Sequence, residues 1–246
     1  MDNNYDSKKS LPLQNLIKVK VCGITRLKDV RAVLGLGADY VGLNLYPPSP
    51  RSISLQQAAK LLKAIPQGHR VLVDVAPATD KLKDYKKAGF DAFQIHFDAA
   101  TTPVEVLNEW SQCVGPERLW LAPRLPSTTP LPAEMLRCAT TFLIDTYVKN
   151  SYGGSGKTAD WGSFCKRQAS HRDKTFILAG GLSPINIKKA LTKSQAHFVD
   201  VNSGVELSPG IKDPQKLQLL FQELSSFLEN ARSPQPLASD KRSHQR

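Results

Sequence analysis

The sequence predicts a single (β/α)8 barrel, a TIM barrel of eight parallel strands with helices outside. Three observations lead there. Short apolar runs alternate eight times with longer segments of helical periodicity. The short runs are nearly continuous in apolar character, as strands covered on both faces should be. The length of 246 residues is close to the roughly 250 that a bare barrel needs, which leaves little for a second module.

The strand-like runs, in order, are KVKVC, DYVGLNLY, RVLVDV, FDAFQIH, RLWLAPR, TFLID, TFILAG and HFVDVN. The helical segments that follow them are LKDVRAVLGLGA, SLQQAAKLLKAI, TDKLKDYKKAG, PVEVLNEWSQCV, PAEMLRCA, DWGSFCKRQASH, PINIKKALTK and DPQKLQLLFQELSSFLE. Each spaces its apolar residues three and four apart, and several begin near Asp, Ser or Thr, the residues that cap helix starts. PAEMLRCA is the shortest. A doubly wound open sheet is the competing arrangement, but eight units is the number that closes a barrel.

Hydrophobic residues make up 41% and charged residues 22%, a globular balance that argues against disorder. Residues 1–16 and 230–246 are polar and mixed, the second rich in Pro, Ser and charge, so both are expected to be disordered tails around a barrel domain at 17–229. The net charge is +11 and suits an anionic partner, whether nucleic acid, a membrane surface or a phosphorylated metabolite. Lys8, Lys9, Arg232, Lys241 and Arg242 put part of that excess in the polar ends. The four cysteines form no CxxC pair and show no metal-like spacing with His, which predicts reduced thiols, no metal site and a cytoplasmic protein. No run is long enough for a signal peptide or a membrane span.

In a barrel the chemistry sits where strands end, so those residues are the candidates. Cys22 closes the first strand, followed by Gly23, which allows a tight turn; a buried thiol acting as a small hydrophobe is the competing reading. Asp145 closes the sixth strand and could equally cap the following loop. Together a thiol and a carboxylate on one mouth form a plausible base and acid. Arg51 follows a loop stiffened by Pro47, Pro48 and Pro50, and its fork suits a carboxylate or phosphate. Three glycine-bearing loops follow, at 152–158, at Gly180 and Gly181, and at Ser203 and Gly204. In barrels, phosphate commonly binds between the loops after strands seven and eight. The first of the three lacks the G-x-x-x-x-G-K spacing of a nucleotide-triphosphate loop.

Taken in order, KVCGIT, GADYVGLNLYPPSPRSIS, FLID, YGGSGKTADW, ILAGGLSPINI and FVDVNSGVELSPGIKDPQKL resemble the phosphoribosylanthranilate isomerases of tryptophan biosynthesis, over about Lys18 to Leu224. The resemblance implies a monomeric or dimeric (β/α)8 barrel with no cofactor, an intramolecular oxidoreductase of the aldose–ketose type. Its reaction would be the Amadori rearrangement of N-(5-phosphoribosyl)anthranilate to 1-(2-carboxyphenylamino)-1-deoxyribulose 5-phosphate. It assigns Cys22 as general base, Asp145 as general acid and Arg51 as the anchor of the anthranilate carboxylate. Gly180, Gly181, Ser203 and Gly204 fall in its phosphate loops, with His96 and Asn202 as supporting positions.

The chain departs from the family pattern at four places. Phe97 follows His96 where many members have glycine, and Asn202 replaces a serine. Ala76 stands where an asparagine often ends the third strand, and the fifth strand lacks a familiar lysine. Base, acid and arginine are unaltered. Related sugar-phosphate barrels, such as a histidine-pathway isomerase with paired aspartates or an indole-glycerol-phosphate synthase with lysine and glutamate, match the Cys22 and Asp145 pair less well. A nucleic-acid-binding barrel is the non-enzymatic alternative. The lysines at 81–87 and 188–193 lack the aromatic interleaving of a nucleic-acid module, so neither nucleic acid nor membrane is expected as a partner.

Overall fold

A computed structural model describes residues 17–126, 128–145 and 160–232. The expected tail at 1–16, the glycine loop at 152–158 and residues 233–246 of the expected tail at 230–246 lie outside these; residues 230–232 are not tail but the last turn of the final helix, which carries on past Glu229. Eight strands, β1 (Lys18–Val21), β2 (Tyr40–Asn44), β3 (Arg70–Val75), β4 (Ala92–Asp98), β5 (Leu119–Arg124), β6 (Thr141–Ile144), β7 (Thr175–Leu178) and β8 (Phe198–Val201), form a closed barrel. Every neighbouring pair is parallel, and β8 closes on β1 with Lys20 opposite Asp200. The outer helices are α1 (Leu27–Gly35), α2 (Leu55–Leu62), α3 (Thr79–Lys87), α4 (Val104–Val114), α5 (Ala133–Cys138), α6 (Trp161–Ser170), α7 (Ile187–Ser194) and α8 (Pro214–Arg232). The sequence reading missed a small antiparallel pair, β9 (Glu206–Ser208) and β10 (Ile211–Lys212), inserted before α8.

Local chemistry accounts for where the helices start. Ser54 and Gln57 form a reciprocal capping box on α2, and the Asp160 carboxylate accepts from the Ser163 amide to open α6. The apolar stripes of the helices then pack on the outward strand residues, giving a continuous layer that includes Val30, Val33, Leu82, Trp110, Phe142 and Leu220.

The inner layer is separate, and one expectation about it needs correction. The strands are not apolar on both faces: Lys20, Gln94, Thr141 and Asp200 are buried polar residues on the strands, and of these Gln94 and Asp200 line the mouth of the barrel. Side chains alternate across a strand, so residues two apart share a face. The inner face therefore changes character with depth. At the lower end, Tyr40 contacts Trp120 edge-on at 5.0 Å and stacks on Phe198 at 5.3 Å, closing the barrel with aromatic rings. Above this floor lie charged and polar side chains, and above those the mouth.

One of the four departures is explained by position, and Ala76 is not. Phe97 faces outward, fully buried edge-on against Trp110 of α4, so it leaves His96 facing the mouth and extends β4 to Asp98. Arg124, ending β5, pairs with Asp98. Ala76 adopts φ 39°, a left-handed conformation that asparagine tolerates better than alanine.

Candidate active site

One cavity opens at the C-terminal ends of the strands, enclosing about 790 Å³ of atom-free space that is partly open to solvent. Cys22, Arg51, His96, Asp145, Gly180, Gly181, Asn202 and Ser203 all line it. Gly204, the remaining predicted site residue, is not on the wall. It lies behind, where any Cβ would collide with the Leu182 carbonyl oxygen, so the absence of a side chain lets the loops after β7 and β8 touch.

Cys22 is held at the end of β1, its amide donating to the Val201 carbonyl at 2.9 Å, and it is buried. Gly23 follows at φ +70°; a Cβ there would meet Arg51 and Asn202 side-chain atoms at 2.7 Å, so this turn and its crowding require glycine. Burial pushes the Cys22 thiol above its ordinary value, the Lys20 ammonium pulls it down, and Asp200 opposes Lys20. Asp145, immediately after β6, faces the same cavity from the other side of the barrel.

Arg51 is presented by a loop tied together from within. Asn44 donates to the Ser49 hydroxyl at 3.2 Å and accepts from the Tyr46 amide at 2.9 Å, and Ser49 accepts from the Arg51 amide at 3.2 Å. The guanidinium is steered by Glu206, which it contacts at 3.0 and 2.8 Å. Glu206 also accepts from the fully buried Lys212 ammonium at 2.9 Å, and Lys212 reaches the Asn202 side-chain oxygen at 3.0 Å. Asn202, where the family pattern has serine, thus holds a buried lysine beside the loops after β7 and β8. Although burial alone would raise the Glu206 carboxyl, Arg51 and Lys212 hold it below its usual range.

His96 is part-exposed at the mouth, and its Nε2 lies 2.8 Å from the Gln94 amide nitrogen. Burial by surrounding atoms, with help from Lys20, lowers its pKa to about 4, so the ring is neutral and accepts from the amide. The Gln94 carbonyl oxygen is buried with no partner. At the rim, Gly180 and Gly181 take φ 93° and 61°, and Asn186 ties their loop by donating to the Gly181 carbonyl and accepting from the Ser183 amide. No cluster of three or more His, Cys, Asp or Glu side chains arranged to hold a metal occurs among the described residues.

Sequence reasoning missed Lys20, Gln94, Asp200, Glu206 and Lys212. For Lys20 a signal was available: it precedes Cys22 by two residues on a strand, so both must face inward.

The model of the family described as N-(5'-phosphoribosyl)anthranilate isomerase matches residues 19–223. The chain belongs to this family. The isomerase of Acinetobacter calcoaceticus is 36% identical over 83% of this chain and 95% of its own length. That of Aquifex aeolicus is 34% identical over 89% and 100%. Among solved isomerases, the Thermus thermophilus phosphoribosyl anthranilate isomerase superposes with a TM-score of 0.72 at 29% identity, covering 85% of this chain and 99% of that one. A phosphoribosyl anthranilate isomerase in complex with reduced 1-(o-carboxyphenylamino)-1-deoxyribulose 5-phosphate gives 0.65 at 27% identity, covering 85% and 99%. The isomerase match excludes residues 1–18 and 224–246.

Proposed function

We propose that this cavity carries out the family's Amadori rearrangement with Cys22 as general base and Asp145 as general acid. The observation that supports it is the convergence of a thiol, a carboxyl and a guanidinium on one barrel mouth, between two touching glycine loops. The substrate is a small molecule, N-(5-phosphoribosyl)anthranilate, and the reaction is a step of tryptophan biosynthesis.

The substrate's phosphate sits between the loops carrying Gly180, Gly181, Ser203 and Gly204, where positive-φ glycines bring backbone amides close to an anion. Arg51 receives the anthranilate carboxylate at the other end. Fixing both ends places the ribose over Cys22 and under Asp145, so binding energy is used for orientation. Asp145 gives a proton to the ring oxygen as the C1–O bond breaks and the nitrogen lone pair forms the iminium. Cys22, as thiolate, takes the C2 proton that the iminium has acidified, leaving an enolamine. Protonation at C1 and loss of the C2 hydroxyl proton then give the ketone, so the rearrangement is proton-neutral. His96, neutral, lines the path without carrying charge.

The protein works as a monomer or homodimer in the cytoplasm, and no helix among the described residues is long and apolar enough to cross a membrane. Two assays test the reading: growth of a tryptophan auxotroph lacking this step, and the decay of phosphoribosylanthranilate fluorescence with pure protein. Failure of both would overturn it.

A further inference from the structure

Directly beneath the base lies a charge that the reaction scheme does not use. Lys20 is fully buried, and its ammonium donates to Asp200 at 2.9 Å. Burying a lysine costs several kcal/mol before pairing, and a methionine would fill the same space without that cost. The aromatic floor one layer lower shows that this barrel can close its interior with apolar rings. Lys20 is brought against the thiol by Gly42 on β2. A Cβ at Gly42 would lie 3.0 Å from Lys20 Cε, from Cys22 Sγ and from Cys22 Cα. The missing side chain is what allows the lysine stem and the sulfur to share that space.

We propose that Lys20, anchored by Asp200, is the counter-ion of the Cys22 thiolate, a positioning residue that holds the general base in its reactive form within a buried site. Lys20 exerts the largest charge effect on Cys22. Asp200 on β8 opposes it, and Lys212 on β10 adds to it. Arg51 and Glu206 form an ion pair at the rim, Asp145 faces in from β6, and the neutral His96 comes from β4. Asp200 has a double effect. It keeps Lys20 charged and in place, while its own negative charge opposes the thiolate.

The inference rests on Cys22 being the base, but its test reads the sulfur itself. The pH dependence of iodoacetamide alkylation of Cys22 in the full chain, followed by peptide mass spectrometry with Cys113, Cys138 and Cys165 as internal references, gives the thiol midpoint. Lys20→Met is expected to move that midpoint up by about one pH unit or more, with the acid limb of kcat/KM moving the same way. Lys20→Arg, which keeps the charge, should restore much of the shift. Asp200→Asn should move the midpoint down. The double variant Lys20→Met/Asp200→Asn leaves no unpaired buried charge and should keep an elevated midpoint, so it serves if Lys20→Met alone does not fold. An unchanged midpoint in the lysine variants, with activity lost, would make Lys20 structural and overturn the proposal. Full turnover by Cys22→Ser would instead overturn the base assignment, leaving the alkylation midpoints readable.

Discussion

Arg51 gives Glu206 its Nε and one terminal nitrogen, at 3.0 and 2.8 Å, which orients the guanidinium across the mouth of the barrel. A carboxylate of the protein thus fixes the arginine proposed above to receive a carboxylate of the substrate. Charge-assisted hydrogen bonds of this kind contribute about 1.5–3 kcal/mol. Arg51→Ala should raise KM on the order of 10- to 100-fold with a smaller change in kcat. Glu206→Gln should raise KM less, since the glutamine carbonyl oxygen can still accept from the arginine. Steady-state kinetics on phosphoribosylanthranilate checks both; an unchanged KM in Arg51→Ala would remove the anchoring role.

The proton carriers predict a different signature. In the proposed mechanism Cys22→Ser and Asp145→Asn each remove a group that exchanges a proton in the transition state, and little packing. Turnover should fall by about 10²–10⁴-fold with the thermal midpoint nearly unchanged. Calorimetry beside single-turnover fluorescence separates the two effects. Near-normal turnover in either variant would sink that assignment.

Gly204 lets the loops after β7 and β8 touch by having no side chain. In Gly204→Ala the methyl group must displace the Leu182 carbonyl, which is backbone and has little freedom to move. The strain should cost about 1–3 kcal/mol of stability and weaken inhibition by inorganic phosphate. Retained stability and phosphate inhibition together would show that the loops give way easily.

His96 links the site to acid stability. Its folded pKa, about 4, lies below the unfolded value of about 6.5. The unfolded chain therefore binds the extra proton between these values. The neutral ring's contribution is complete above about pH 6.5 and is lost as pH falls toward 4. Allowing for partial exposure, it is on the order of 2 kcal/mol. Urea unfolding of His96→Gln at pH 4.5 and 7 should show a smaller acid loss than the parent chain, and an equal loss would contradict the buried neutral ring.

Ala76 offers a stabilising change. Its φ of 39° carries the left-handed penalty of about 1–2 kcal/mol that asparagine partly avoids. Ala76→Asn should raise the melting temperature without altering kcat. A lowered melting temperature would mean that the backbone there is held by other contacts.

The barrel was legible because its period is simple: RVLVDV became β3 without a residue's change, and PAEMLRCA became the six-residue α5. The positions of Cys22 and Asp145 on the mouth were legible because strand ends can be located from apolar runs alone, and that of Arg51 from the proline-stiffened loop after β2. Asp200, Glu206 and Lys212 were not, since a charged residue in an apolar run reads as the solvent side of a strand until the pairing partner is known; for Lys20 the two-residue step to Cys22 gave its direction but not its partner. Lys20 and Asp200 are 180 positions apart, and only closure of β8 on β1 brings them together. Glu206 and Lys212 depend on the β9–β10 hairpin, whose short strands carry no periodic signal. Two of the basic residues behind the net charge, Lys20 and Lys212, thus turn inward to neutralise carboxylates within the barrel.

The ring cluster of Tyr40, Trp120 and Phe198 makes the barrel's lumen blind-ended. Substrate enters and product leaves by the same doorway, past the same arginine and the same glycine loops. Product that lingers there stands in the way of the next substrate.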